Sequence, residues 1–405
     1  RRPSSVLVGR RPFGLYRHML EGSGHDSAMG PSSDVVPDDV KAVLKGQRSP
    51  MATHDLSAGA VVVEATRPPR FDIELQQAEL LEYLDEHGYA VVAGVADQDA
   101  IDCAKSLMWD FFEGLPNTHV RRSDVATWGI PGDWMPSETN GIVHGFGWGQ
   151  SACMWKLRLL PRVKATFAAI WKTTDLLVSF DGGNAFRPWR YNRSWLTDGG
   201  WYHVDQNAMK PGSRGRQCVQ GFVTLCDVSE ETGGLVVVPG SHKQHTAMCE
   251  RSKIAKAMGD FLPVPIDDPI LRLGARLVCC NAGDLVLWDS RTVHCNTPAL
   301  TALREEVGAS SRSSEGPTLT GVAEPACETH VEVGIDTGRE CPKEVDQTVK
   351  WELIRQVGYV CMTPARLAPM DVLKKRQDAF ENNISLSHWP HKFVMAGHSL
   401  PDTPT

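Results

Sequence analysis

Long hydrophobic runs are missing from this chain of 405 residues, and several other signatures are missing with them. The longest apolar stretches are of the GGLVVVP kind, far short of the 18 or so residues that a membrane helix needs, so no membrane span is expected. Positive charge is not in excess either. Lys and Arg number 42 against 49 Asp and Glu, a formal net charge of -7, which gives no general attraction to phosphate backbones and makes nucleic acid an unexpected partner. No phosphate-binding glycine loop and no dense basic patch points to a nucleotide or to coenzyme A. The 11 cysteines are odd in number and scattered, with no C-x-x-C among them. That argues against a zinc ribbon or a disulfide framework and for free thiols in a reducing compartment, cytoplasmic or organellar rather than secreted.

What is present has globular proportions: 41% apolar and 22% charged residues, in a chain long enough for one large domain or two to three small ones. Residues 1 to 20 carry Arg1, Arg2, Arg10, Arg11 and Arg17 with no acid before Glu21, in the manner of an organelle transit peptide. Residues 21 to 68 are rich in Gly, Ser, Asp and Pro without periodicity, so 1–68 is expected to be a disordered or targeting lead-in. Folded sequence is expected over 69–395, with 396–405 a tail. Leu75, Leu80, Leu81 and Leu84 recur at helical spacing before Gly88, the strand YAVVAGV follows, and a second amphipathic helix runs through Ile101, Ala104, Leu107, Met108, Phe111 and Phe112 to Gly114.

From about residue 175 the texture changes to short apolar runs punctuated by turn residues: LLVSF then DGG, CVQGFVTLCDV then EETGG, LVVV then PGSHK, ARLVCC then NAGD, LVLW then DS. Strands of this length and pitch indicate a mainly β domain, a sandwich or barrel, with the helices flanking it. Residues 304–346 are polar and turn-rich and are expected to form an inserted surface loop. Order is expected to resume with WELIRQVGYVCMTPA, whose VGYVCMT is a last apolar strand, and a helix near PMDVLKKRQDAF.

Within the β region, WYHVDQN places His203 and Asp205 two positions apart. Roughly one His-x-Asp is expected by chance in such a chain, so the pattern decides nothing alone. On a strand, however, alternate residues share a face, and the imidazole and carboxylate can converge. A third ligand is best supplied by His294 in AGDLVLWDSRTVHCNTPAL, just past a strong strand and a turn. Two histidines and one carboxylate on one face of a metal, with the remaining positions open, suit Fe(II) that must bind a cosubstrate and oxygen together.

The stretches DLLVSFDGG, WYHVDQN, ETGGLVVVPGSHKQH and AGDLVLWDSRTVHCN, with LDEHGYAVVAGV at the front, resemble the phytanoyl-CoA dioxygenase family of Fe(II)- and 2-oxoglutarate-dependent oxygenases. The likeness covers roughly residues 70 to 395 and lies in the ordered set rather than in any single motif. It implies a double-stranded β-helix, a jelly-roll, cupin-like barrel whose mouth holds the iron, with His203, Asp205 and His294 as ligands. It also implies an arginine for the far carboxylate of 2-oxoglutarate, a role suited to a planar, permanently charged fork. Arg304 lies ten positions after His294, where the family often has it; Arg355 leads into an apolar strand and is favoured if 304–346 is an insertion. Asn296 and Gln220 can hydrogen-bond the cosubstrate and Trp201 and Trp288 can wall the pocket, although such residues are more often structural. His242 and His245 are expected in turn or surface roles, and His388, Trp389 and His391 are placed to fold over the barrel mouth.

The implied reaction consumes O2 and 2-oxoglutarate, releases succinate and CO2, and hydroxylates a C–H bond of a small-molecule or lipid-like substrate. In related halogenating enzymes a small residue replaces the carboxylate ligand; here Asp205 fills it, which favours hydroxylation. Two rivals remain: another mononuclear metal enzyme of the cupin type, which need not have the arginine, and a non-catalytic binding protein on the same scaffold, which predicts lost ligands.

Overall fold

A computed structural model describes residues 61–313 and 350–395. The lead-in over 1–60, most of the expected insertion and the tail lie outside the described residues. Two sheets make the body. One has six strands in the order β1 (Val63–Thr66), β11 (Ala275–Val278), β9 (Gly234–Val237), β13 (His294–Thr297), β7 (His203–Val204) and β10 (Leu262–Pro263). The other has seven, in the order β2 (Arg70–Phe71), β3 (Tyr89–Val92), β12 (Leu285–Asp289), β8 (Val219–Thr224), β14 (Arg355–Tyr359), β6 (Gly183–Phe186) and β4 (Ile142–Val143). A separate pair joins β5 (Leu176–Val178) to β15 (Met362–Pro364).

The chain crosses repeatedly between the sheets. Strands β6, β8, β12 and β14 lie in the larger one and β7, β9, β11 and β13 in the smaller, with antiparallel neighbours throughout these two groups of four. That is the jelly-roll arrangement, in a mainly β molecule with flanking helices. The alternation of side chains decides what each face does. Ala90 and Val92, Val219 and Val223, and Leu285 and Leu287 join one buried cluster with the helices Gln77–His87, Gln98–Glu113, Ala152–Arg158 and Pro161–Trp171. Their alternates Val91, Phe222, Val286 and Trp288 join a second cluster with Val204, Leu235, Val237 and Leu277 of the opposite sheet. The second face therefore looks into the space between the sheets, where the candidate site lies.

Both early helices end and begin as their residue types require. Gly88 closes the first with φ of 77°, a left-handed position that favours glycine. Asp97 caps the second by accepting a hydrogen bond from the Ala100 N–H at 2.8 Å. Several boundaries differ from the sequence expectation. Leu75 lies before the first helix and is 83% exposed. Strand β1 falls inside the stretch assigned to the lead-in and pairs in parallel with β11; four residues on a sheet edge are too few to show a period. The expected loop from 304 starts as helix, since Leu300–Ser313 is helical. VGYVCMT is not one strand: β14 ends at Tyr359 and β15 starts at Met362 in a different sheet. No helix among the described residues is long and apolar enough to cross a membrane, and the nine described cysteines are free.

Candidate metal centre

His203 and His294 are brought face to face by backbone pairing. β7 and β13 are antiparallel neighbours with these two residues directly in register, and the imidazole centroids are 4.2 Å apart. Asp205 follows β7 at once, its backbone N–H donating to the Ser290 carbonyl at 3.0 Å. One donor atom from each of the three side chains falls within 4.8 Å of the others, all three residues being buried. The Nε2 atoms of His203 and His294 lie 3.7 and 3.2 Å from the Asp205 carboxylate oxygens.

The hydrogen bonds behind these groups determine what they can bind. Nδ1 of His203 lies 3.0 Å from the Trp201 carbonyl and Nδ1 of His294 lies 2.9 Å from that of Thr292. A carbonyl only accepts, so each Nδ1 carries the proton and each Nε2 keeps a lone pair directed at the centre, the tautomer of a metal ligand. Burial pushes the His203 imidazole down to about 4, reinforced by neighbouring His294, which keeps it neutral near pH 7. Burial opposes ionisation of Asp205, but His203, His388 and His294 around it hold its carboxyl well below the usual range. Imidazoles whose Nε2 atoms face inward beside the Asp205 carboxylate are a donor set suited to a divalent cation. Gln220 of β8 donates to Asp205 Oδ2 at 2.7 Å, so its amide N–H steadies the carboxylate from behind. Trp201 stacks on the His203 ring at 4.9 Å and Phe261 lies against the same ring at 4.7 Å.

The three donors open onto a cavity of about 530 Å³ whose lining includes Arg355, Asn296, Gln220, Trp201 and Trp288 as well. Of the two competing arginines only Arg355 is in it. Arg304 lies outside on the helix after β13, 56% exposed in its side chain and paired with Glu230 at 2.5 Å. Arg355 is 1% exposed. Its Nε donates to Asn184 Oδ1 at 3.2 Å, its guanidinium lies 4.9 Å from the Phe222 ring centroid, and Nη1 is buried without a hydrogen-bond partner. No carboxylate among the described residues pairs with it. Burial lowers its pKa, with Tyr359 working in the opposite direction, yet an arginine retains its proton through such a shift. Tyr359, hydrogen-bonded with Asn184 and Asn296, is pushed up to about 12, chiefly by burial. The Nε1 atoms of Trp201 and Trp288 are also buried without partners.

The other histidines that the sequence singles out lie in different settings. His242 and His245 are buried, not on the surface; their Nε2 atoms meet the backbone carbonyls of Asp85 and Gln206 respectively. His388 does line the cavity, while His391 lies outside it, near Thr363. Asn184, Tyr359 and Gly234 escaped the sequence reading. Tyr359 had a signal, because Arg355, Val357 and Tyr359 alternate on one strand and must share a face. Gly234 makes room for the arginine: a Cβ there would lie 2.6 Å from Arg355 Nη1.

Residues 161–302 match the family model Phytanoyl-CoA dioxygenase (PhyH), a stretch that holds His203, Asp205 and His294 but not Arg355. "Ava biosynthesis cluster protein O" of Aspergillus versicolor is 27% identical over 289 residues, 67% of this chain and 73% of that protein. The epimerase SnoN, solved with Fe3+, alpha ketoglutarate and nogalamycin RO, is 18% identical with a TM-score of 0.38, over 56% of this chain and 78% of that one. The carbocyclase SnoK is 16% identical with a TM-score of 0.39, over 57% and 82%. The chain thus resembles the phytanoyl-CoA dioxygenase family across the stretch that carries all three donors, as its motifs imply.

Proposed function

We propose that the chain is an Fe(II)- and 2-oxoglutarate-dependent dioxygenase that hydroxylates a C–H bond of a small-molecule or lipid-like substrate. The observation that carries this reading is Arg355: a buried cation with a free N–H, in the same cavity as a His-Asp-His donor set and without a carboxylate of its own. An uncompensated buried charge is costly, and a dicarboxylate that also reaches the metal would relieve that cost. A cupin-type metal enzyme without the cosubstrate need not have such a group. A non-catalytic scaffold has no reason to keep all three donors.

In this reading His203, Asp205 and His294 would hold iron on one side and leave the cavity side open. Iron held there supplies oxygen activation coupled to decarboxylation of 2-oxoglutarate to succinate and CO2. Gln220 orients Asp205, and Trp201 and Phe261 shield His203 from water. Arg355, steadied by Asn184 and Phe222, would take the far carboxylate of 2-oxoglutarate, with Tyr359 and Asn296 beside it.

The test is 2-oxoglutarate binding to the anaerobic Fe(II)-loaded protein, followed by calorimetry. Arg355→Ala is expected to weaken binding by at least about tenfold, as for loss of a charge-assisted bidentate contact, and Arg304→Ala to leave it within about twofold, as for an exposed pair. Equal effects of the two changes would remove the basis for the assignment.

A further inference from the structure

The cavity has a second polar end that the reading above does not use. Asp181, His144 and His388 line it together with the metal donors. Burial raises the Asp181 carboxyl, with His388, the Gly182 N–H, His144 and Arg158 opposing that rise, and His388 in turn acts on His203 and Asp205. No Lys or Arg among the described residues pairs with the Asp181 carboxylate; its one hydrogen bond here is from the Gly182 N–H to Oδ1, at 2.6 Å. Nε2 of His388 is buried without a partner.

This end is built rather than loose. Arg158, fully buried, donates to the backbone carbonyls of Gly149 and Asp181 at 2.5 and 2.9 Å and holds the loop beneath the carboxylate. The two glycines of the DGG turn are close-packed: a Cβ on Gly182 would strike the Val143 carbonyl, and one on Gly183 would lie 2.6 Å from that of Val357. The same cavity is lined by the apolar side chains of Ile142, Leu235, Phe261 and Met395.

We propose that Asp181, flanked by His144 and His388, is the recognition end of the substrate site, and that the substrate is an apolar small molecule carrying a hydroxyl group that bonds there. The proposal rests on the 2-oxoglutarate reading. A carboxyl group and an imidazole each change between donor and acceptor with protonation and tautomer. A hydroxyl both donates and accepts, so it can bond to Asp181 and to an imidazole at once in any of those forms. A hydrocarbon does neither, and an ammonium group only donates.

The experiment uses the full chain, anaerobic and loaded with Fe(II) and 2-oxoglutarate, whose visible charge-transfer band is perturbed when a molecule enters beside the metal. The probes are 2-indanol, indane and 2-aminoindane, with 2-tetralol, tetralin and 2-aminotetralin as a second set. At least one alcohol is expected to bind about tenfold or more tighter than its hydrocarbon, and tighter than its amine. In Asp181→Leu that preference is expected to fall to within about twofold while the band without probe persists. His388→Phe is the second variant, should Asp181→Leu fail to fold, and is expected to reduce the preference in the same way. Equal binding of alcohol and hydrocarbon, binding of no probe, preference for the amine, or a preference that survives both changes overturns the proposal. Absence of the band before any probe is added overturns instead the 2-oxoglutarate reading beneath it.

Discussion

A methyl group on Gly234 would sit 2.6 Å from Nη1 of Arg355, at a residue whose φ is +145°. Arg355 is enclosed by Asn184, Phe186 and Phe222, so its head has little room to retreat. Gly234→Ala is therefore expected to weaken 2-oxoglutarate binding and to lower the melting temperature, both measurable on the purified protein. A variant that binds as wild type would show that the guanidinium position is not critical. At this scale the His203, Asp205 and His294 donor cluster was legible because His-x-Asp and a later histidine are carried by residue type and order alone. The proposed anchor is narrowed by sequence to two arginines, and only burial separates them: Arg304 faces solvent beside Glu230, whereas Arg355 sits on an interior strand face. Asp181 looked like an ordinary turn residue, since nothing in DGG says which way a carboxylate points.

Strand β7 is two residues long, yet it carries His203 and leads directly into Asp205, because β13 and β10 hold it on either side. The outer face of the larger sheet supports the interior one without touching the site. Leu287 on β12 is fully buried against the helices, so Leu287→Ala is expected to cost about 2–5 kcal/mol in chemical denaturation while the folded protein still binds iron. Loss of iron binding at full stability would contradict this separation of scaffold and site. Element by element, helices with a clear apolar stripe and strands bounded by glycine were legible. Residues 115–174 were not, because their short 3-10 turns and seven- and eleven-residue helices carry little periodicity. The break between β14 and β15 was hidden because an unbroken apolar run does not reveal a change of sheet.

For the molecule as a whole, the buried histidines set the response to acid. The His203 imidazole is lowered from an ordinary value of 6.5 to about 4 by burial, then by His294, and His391 to about 4 by burial, then by Lys392. Above pH 6.5 both are neutral in the folded and unfolded chain, and no stability is lost. As pH falls from there towards 4 the unfolded chain takes up protons that the native one refuses, so stability falls through that window. For His203 the linkage is on the order of 3 kcal/mol. The metal-free protein is expected to melt progressively lower between pH 7 and pH 4, less steeply in His203→Gln; a flat profile would contradict the neutral assignment. Asp289, held down to about 2 by Arg291 and Arg216 against the effect of burial, adds a further loss only below its ordinary value of 3.8.

The central claim is that one cavity holds both iron and 2-oxoglutarate. Its most direct test is to add Fe(II) and then 2-oxoglutarate to the metal-free protein without oxygen, and to record the visible charge-transfer band of the chelated complex. The account predicts a band in wild type, none in His203→Ala or Asp205→Ala, and in Arg355→Ala a band reached only at higher 2-oxoglutarate. No band at any 2-oxoglutarate concentration, with iron still bound, would contradict it.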